Sequence, residues 1–202
     1  MSGPAAFGQA VPKPRPVATA AQAVKADHGT VYLLRGLADV FSLGMNTLAD
    51  RLRAKGVRAT VTNHSQDARV TEEIAKAYER NSAKALPIII IGHSLGANKA
   101  LTIASRLGKK GIPVRLVVLF DATAKIPVPA NVAEVLNLHK PSRFGVSVAG
   151  AKGHDGKIDN RDVSALGIGH ISIDKSKTLH AEVVARVIQV LAEKPARPKK
   201  KK

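Results

Sequence analysis

Residues 88–96 read Ile-Ile-Ile-Ile-Gly-His-Ser-Leu-Gly, and the rest of the chain can be read outward from them. Four consecutive β-branched residues fit a short strand that is apolar on both faces. A Gly-x-Ser-x-Gly turn, Gly92 to Gly96, follows at once, and Ala97–Arg106 then has helical character. That strand–turn–helix setting is what gives the five-residue pattern chemical meaning. A side chain at Gly92 or Gly96 would collide with the adjoining strand and helix, which supplies a steric reason for both glycines. Ser94 is expected in a strained backbone conformation with its hydroxyl exposed above the sheet edge. The plainer reading is a Gly-rich turn with an incidental serine. The strand before it and the helix after it favour a nucleophile.

The flanking segments alternate in type. Thr30–Leu34 reads as a strand, and Arg35–Phe41 as a loop. Ser42–Lys55 has helical spacing, with Leu43, Leu48 and Leu52 on one side and Gly56 as its stop. Val57–Thr62 is a second strand and Thr71–Ser82 a polar helix with Thr71 as N-cap. Ile88–Ile91 is the third strand, Val114–Phe120 the fourth, ending at Asp121, and Phe144–Val148 the fifth. Thr178–Glu193 is a final amphipathic helix, ended by Pro195, with Asp174 read as its N-cap. Strands alternating with helices predict an α/β fold: a three-layer α/β/α sandwich around a mostly parallel sheet.

The chain has 202 residues, enough for one domain with a sizeable core. Residues 1–28 read as a Pro/Ala-rich leader, 29–193 as the folded domain and 194–202 as a basic tail. The absence of cysteine excludes disulfides and thiolate metal sites. Net charge is +17, and the last nine residues alone carry six basic groups and no acid. Such a tail is expected to be solvated, with non-specific contact to anionic membrane or nucleic acid as its alternative role. There is no run of about 18 apolar residues, so no membrane-spanning helix is expected. The leader has no continuous apolar stretch of the kind a secretory signal needs. A cytoplasmic location is the default expectation, periplasmic or secreted if the true start lies upstream.

Four features fall at the carboxyl ends of predicted strands or in loops close to them, where open α/β sheets gather functional groups. They are Ser94, Asp121, the Gly36-Leu37 loop and His170 in Gly167-Ile168-Gly169-His170. A serine hydroxyl needs an imidazole to take its proton, and the imidazole needs a carboxylate to fix its tautomer. Acyl transfer also needs preorganised donors for an oxyanion. The Leu95 amide is one candidate and Leu37 the other, with Ala38 next. Of the other histidines, His93 is expected to pack beside the strand, pointing away from the Ser94 hydroxyl. His28 lies in the leader, His64 follows the second strand, His139 and His154 lie in loops, and His180 is expected to be exposed on the last helix. The rival acids to Asp121 are Asp155, Asp159 and Asp162; the plainer role for Asp121 is a turn cap for the residues after it. The segment His154–Asp162 has ligand-type side chains but fits neither a zinc helix pattern nor a calcium loop, so no metal or cofactor is expected.

Gly92-His93-Ser94-Leu95-Gly96-Ala97, Arg35-Gly36-Leu37, Asp121 and Gly169-His170-Ile171 together resemble the α/β-hydrolase superfamily, most nearly its small bacterial lipase- or thioesterase-like members. The resemblance spans roughly residues 30–192, and Ser-Asp-His is the order of that superfamily's triad. It implies a minimal, capless hydrolase fold with an open site, acting on a small-molecule or lipid-like acyl ester or thioester through an acyl-enzyme. One departure is that Arg35-Gly36 stands where relatives often have His-Gly. The alternative is a hydrolase-fold binding module without catalysis, using its basic surface and tail to bind anionic membrane or nucleic acid.

Overall fold

The computed structural model describes residues 28–37, 43–142 and 144–193. The leader up to residue 27, the tail from 194, Ala38 and the expected helix start at Ser42 lie outside the described residues. In chain order the elements are β1 (Thr30–Arg35), α1 (Gly44–Arg53), β2 (Ala59–Asn63), α2 (Asp67–Arg80), the short α3 (Ser82–Ala85), β3 (Ile88–His93), α4 (Leu95–Lys109), β4 (Leu116–Phe120), β5 (Glu134–His139), β6 (Lys157–Asp162) and α5 (Lys177–Ala192). The six strands form one sheet in the order β2-β1-β3-β4-β5-β6, and every pair is parallel. The expected three-layer α/β sandwich is what forms.

The period-2 alternation of the strands divides the core in two. Val31, Leu33, Ile89, Ile91, Val118 and Phe120 face one side, where Met45, Leu48 and Leu52 of α1 and Leu179, Val183 and Val187 of α5 cover them. Tyr32, Leu34, Ile88, Ile90, Val117 and Leu119 face the other, against Val70 and Ile74 of α2 and Ala100, Leu101 and Ile103 of α4. The Ile88–Ile91 run is therefore apolar throughout because each successive residue enters a different core. Arg106 of α4 donates to the Asp67 carboxylate of α2 at 2.7 Å, joining the two helices on that side.

Several expected elements sit elsewhere. Phe144–Val148 is not a strand; the fifth and sixth strands are β5 and β6. β5 escapes a pattern search because Glu134, Asn137 and His139 interrupt its apolar residues, yet all six of its residues are buried. Glu134 is paired with Arg186 and Arg115, and the Asn137 amide donates to Val146 O and to Asn160 Oδ1 at 2.8 Å each. β6, Lys-Ile-Asp-Asn-Arg-Asp, is a half-exposed edge strand, where polar residues are the norm. The 144–148 segment is fastened across the strand ends by side-chain amides: Asn160 receives the Val148 N–H and donates to the Val148 carbonyl, both at 2.9 Å. Thr71 lies inside α2, its hydroxyl donating to Asp67 O at 2.8 Å, and does not cap it. α5 is capped by Ser176, whose oxygen accepts from Leu179 N, while Asp174 lies in the 3-10 turn before it.

The turn after β3 is a tight backbone crossing. A Cβ on Gly92 would stand 2.2 Å from Gly96 O, and one on Gly96 would stand 2.3 Å from Leu34 O and 2.8 Å from Arg35 O. Those neighbours are main-chain atoms of α4 and β1, which cannot swing aside. Gly96→Ala is therefore expected to lower stability by about 3 kcal/mol or more. Gly169→Ala, where a Cβ meets nothing within 4 Å, should stay within about 0.5 kcal/mol of the parent. Thermal unfolding of the two variants side by side checks this; equal melting temperatures would contradict it.

Candidate active site

Two strands that are neighbours in the sheet, β3 and β4, end in the same unusual way. Ser94 (φ 57°) and Asp121 (φ 55°) are the non-glycine residues with positive φ among the described residues. Such conformations cost of order 1–3 kcal/mol each and persist only where surrounding contacts enforce them. Here the sheet ladder runs on through the bends: Ser94 N donates to Phe120 O and Asp121 N to Leu138 O, both at 2.9 Å. The bends turn both side chains to the carboxyl edge of the sheet, where the turn carrying His170 meets them.

His170 Nδ1 lies 2.7 Å from Asp121 Oδ2, and His170 Nε2 lies 3.0 Å from Ser94 Oγ. A carboxylate only accepts, so Nδ1 carries the imidazole proton and Nε2 offers its lone pair to the serine hydroxyl. Asp121 is 1% exposed. Its second oxygen, Oδ1, accepts the Lys140 N–H at 2.9 Å. Gly145 makes room for it, since a Cβ there would stand 2.3 Å from Oδ1. The bend that carries Asp121 is itself held by Asn98 of α4, whose Oδ1 accepts from Thr123 N (3.0 Å) and Ala124 N (3.2 Å).

The structure thus brings Ser94, Asp121 and His170 together. The rival acids do not meet His170. Asp159 pairs with Arg161, Asp162 accepts the Ser164 N–H, and Asp155 is exposed. The Ser94 hydroxyl is not exposed as expected: the residue is 8% accessible, with His170 bonded to its oxygen. Leu95 opens α4, so its N–H has no acceptor within the helix. The end of β1 abuts the first turn of α4, as the Gly96 contacts with Leu34 and Arg35 show. Leu37 follows in that loop with an exposed side chain.

His64 is not a proton acceptor for Ser94; its Nδ1 lies 3.0 Å from the Gly36 carbonyl, so it donates there and holds the β1 loop. His180 is fully buried, contrary to expectation, and its Nε2–H donates to Asp174 O at 2.6 Å. His93 is buried beside the strand, as expected of it, and its Nε2–H donates to the His170 carbonyl at 2.8 Å. Sequence reasoning also missed Phe144, whose ring lies 5.1 Å from the His170 ring and tilted 33° to it. Nothing in a linear pattern marks that pairing. A cavity of about 390 Å³ lined by Thr30, Tyr32, Arg58 and Ile88 lies at the amino ends of β1 and β3, across the sheet from this chemistry.

Beneath the site, Asp174 and His93 are both buried, with Asp174 Oδ2 3.9 Å from His93 Nδ1. Burial pushes the Asp174 carboxyl up from 3.8 to about 6, and the His93 imidazole down from 6.5 to about 4. For Asp174 the folded protein holds a proton that the unfolded chain releases at lower pH. Its contribution is therefore fully present below pH 3.8 and lost as pH rises through 6. Asp174→Asn, neutral at every pH, is expected to raise stability at pH 8 by about 3 kcal/mol, or roughly 6–12 °C in melting temperature. The gain should shrink towards zero at pH 4. A gain of equal size at both pH values would contradict a charge origin.

Residues 38–137 match the thioesterase domain family, a stretch that includes Ser94 and Asp121. No curated protein matches the chain. Among solved structures, a protein described as a hydrolase of the alpha/beta superfamily from Xanthomonas campestris pv. campestris is 16% identical, with 80% of this chain and 99% of that one covered at a TM-score of 0.47. The type II thioesterase YbtT of the yersiniabactin pathway is 10% identical, covering 81% and 94% at a TM-score of 0.46. The NocB thioesterase domain of the nocardicin cluster is 15% identical, covering 84% and 97% at 0.44. The similarity to the thioesterase domain family extends over residues 38–137, just under half of the chain.

Proposed function

We propose that the protein hydrolyses acyl thioesters with Ser94 as nucleophile, His170 as general base and acid, and Asp121 as the group that orients His170. The observation that carries this reading is the continuous path Asp121–His170–Ser94, with separations of 2.7 and 3.0 Å. The thioesterase-domain match supports a thioester over an oxygen ester as the first substrate class to try.

The chemistry follows from the positions. As Ser94 Oγ bonds to the substrate carbonyl carbon, its proton passes to His170 Nε2 and the carbonyl oxygen becomes an oxyanion. The buried Asp121 carboxylate stabilises the imidazolium, while its Lys140 hydrogen bond keeps the carboxylate from turning. The amides of Leu95 and Leu37 are our assignment for the oxyanion donors. Leu95 sits at a helix N-terminus, where an unpaired N–H and the helix dipole both favour negative charge. Collapse of the intermediate breaks the carbon–sulfur bond, and His170 returns its proton to the departing sulfur. Water then attacks the Ser94 ester, losing its proton to His170, which passes it to Ser94 Oγ as the carbon–oxygen bond breaks and the acid leaves.

Steady-state hydrolysis of acyl-CoA thioesters and p-nitrophenyl esters of graded chain length tests this. Wild type is expected to turn over thioesters. Ser94→Ala should lose roughly 10³-fold or more in kcat, and Asp121→Asn a comparable factor, since the wrong imidazole tautomer would be favoured. Retained turnover in folded Ser94→Ala would refute the assignment.

A further inference from the structure

We propose that His93, inside the nucleophile turn, is a positioning residue for this reaction: its buried imidazole holds the main chain of His170 in place. The proposal rests on His170 acting as the general base. His93 and His170 are 77 residues apart in sequence, and His93 Nε2 lies 2.8 Å from the His170 carbonyl oxygen. A carbonyl only accepts, so Nε2 carries the proton.

The turn that carries His170 has little else to hold its backbone. Gly167 and Gly169 flank it, and its main-chain bonds are local: Gly169 N to Ser172 Oγ (3.0 Å), Ser172 N to Gly169 O (3.0 Å) and Ile173 N to Gly169 O (2.9 Å). Among the described residues, the His93 bond is the one hydrogen bond that a distant part of the chain makes to the backbone between Gly167 and Ile173. It starts from the residue next to Ser94. Nucleophile and base are therefore fixed to each other twice, once through side chains and once through this bond. A loop displacement of about 1 Å at the base is enough to cost on the order of 10²-fold in rate.

The surroundings make His93 a stiff tether. Its side chain is 2% exposed, with Asp174 Oδ2 3.9 Å from Nδ1 on the far side of the ring, beyond hydrogen-bonding reach. Asp174 is itself fixed, because its carbonyl accepts from the buried His180 and it fills the space where a Cβ on Gly44 would stand, at the start of α1. Burial also keeps His93 uncharged near neutral pH. A cation there, with ring centroids 5.2 Å apart, would oppose the imidazolium that His170 must become. A neutral N–H donor in this place tethers the base without that penalty.

Three variants test the idea. Gln carries an N–H₂ the same number of bonds from Cα as His Nε2; Asn is polar but too short; Leu has no donor. His93→Leu and His93→Asn are expected to lower kcat for thioester hydrolysis by roughly 10–100-fold with KM changed less than about twofold, and His93→Gln to recover to within about threefold of wild type. Hydrogen exchange should show the amides of residues 169–173 opening faster in the Leu and Asn variants than in wild type and the Gln variant. If the Leu variant fails to fold, the Asn–Gln pair carries the comparison. Wild-type kcat in His93→Asn, or equal impairment in Asn and Gln variants, overturns the proposal while leaving Ser94 chemistry intact. If wild type hydrolyses nothing while exchange still loosens in the Asn variant, the hydrolase reading falls, and the catalytic role of His93 with it.

Discussion

The site depends on two backbone bends that most residues avoid. Ser94 at the end of β3 and Asp121 at the end of β4 both take positive φ without being glycine. Each bend is enforced by what surrounds it. The Ser94 turn is locked by Gly92 and Gly96 meeting at main-chain distances, and the Asp121 turn by Asn98, Lys140 and the gap left by Gly145. Because β3 and β4 are parallel neighbours, the bends occur side by side and direct both side chains to one edge. The two side chains then need only one imidazole between them, which the turn before α5 provides.

The energy that holds this strain comes from far below the site. The sheet is buried on both faces, and its apolar side chains alternate between two cores. Apolar burial is worth about 25 cal/mol per Å², so a core built from dozens of fully buried aliphatic residues can carry a few kcal/mol of local strain. The same core carries buried polar groups such as Asp174, His93 and His180 that a pure stability argument would replace. These three sit behind the His170 turn, while Glu134, Asn137 and His139 are buried within β5. The placement of Asp174, His93 and His180 fits a role in shaping the site.

Much of the fold was legible because its central strands are chemically simple. Ile88–Ile91 and Val117–Phe120 are apolar without a break, and only a sheet covered on both sides asks for that. Ser94, Asp121 and His170 were legible through chain order and the glycines around them. β5 was hidden because Glu134 and Asn137 are buried by partners remote in sequence, Arg186 and Asn160. The 144–148 segment was misread for the complementary reason: its alternation resembles a strand, but Asn137 and Asn160 bind its backbone with side chains in place of a ladder. His180 reads as exposed on a helix of moderate amphipathicity, but the Asp174 carbonyl and the edge-on ring of Phe120 meet it in the core. For β5 the deciding contacts join residues distant along the chain, which no local pattern encodes.

The central claim is that Ser94 becomes covalently acylated during turnover. Rapid acid quench of the wild-type protein with an acyl-CoA thioester, followed by intact mass measurement and peptide mapping, tests it most directly. The account predicts a mass increase of one acyl group, confined to the peptide containing Ser94 and absent in Ser94→Ala. Turnover with no acylated protein, or with the acyl group on another residue, would contradict it.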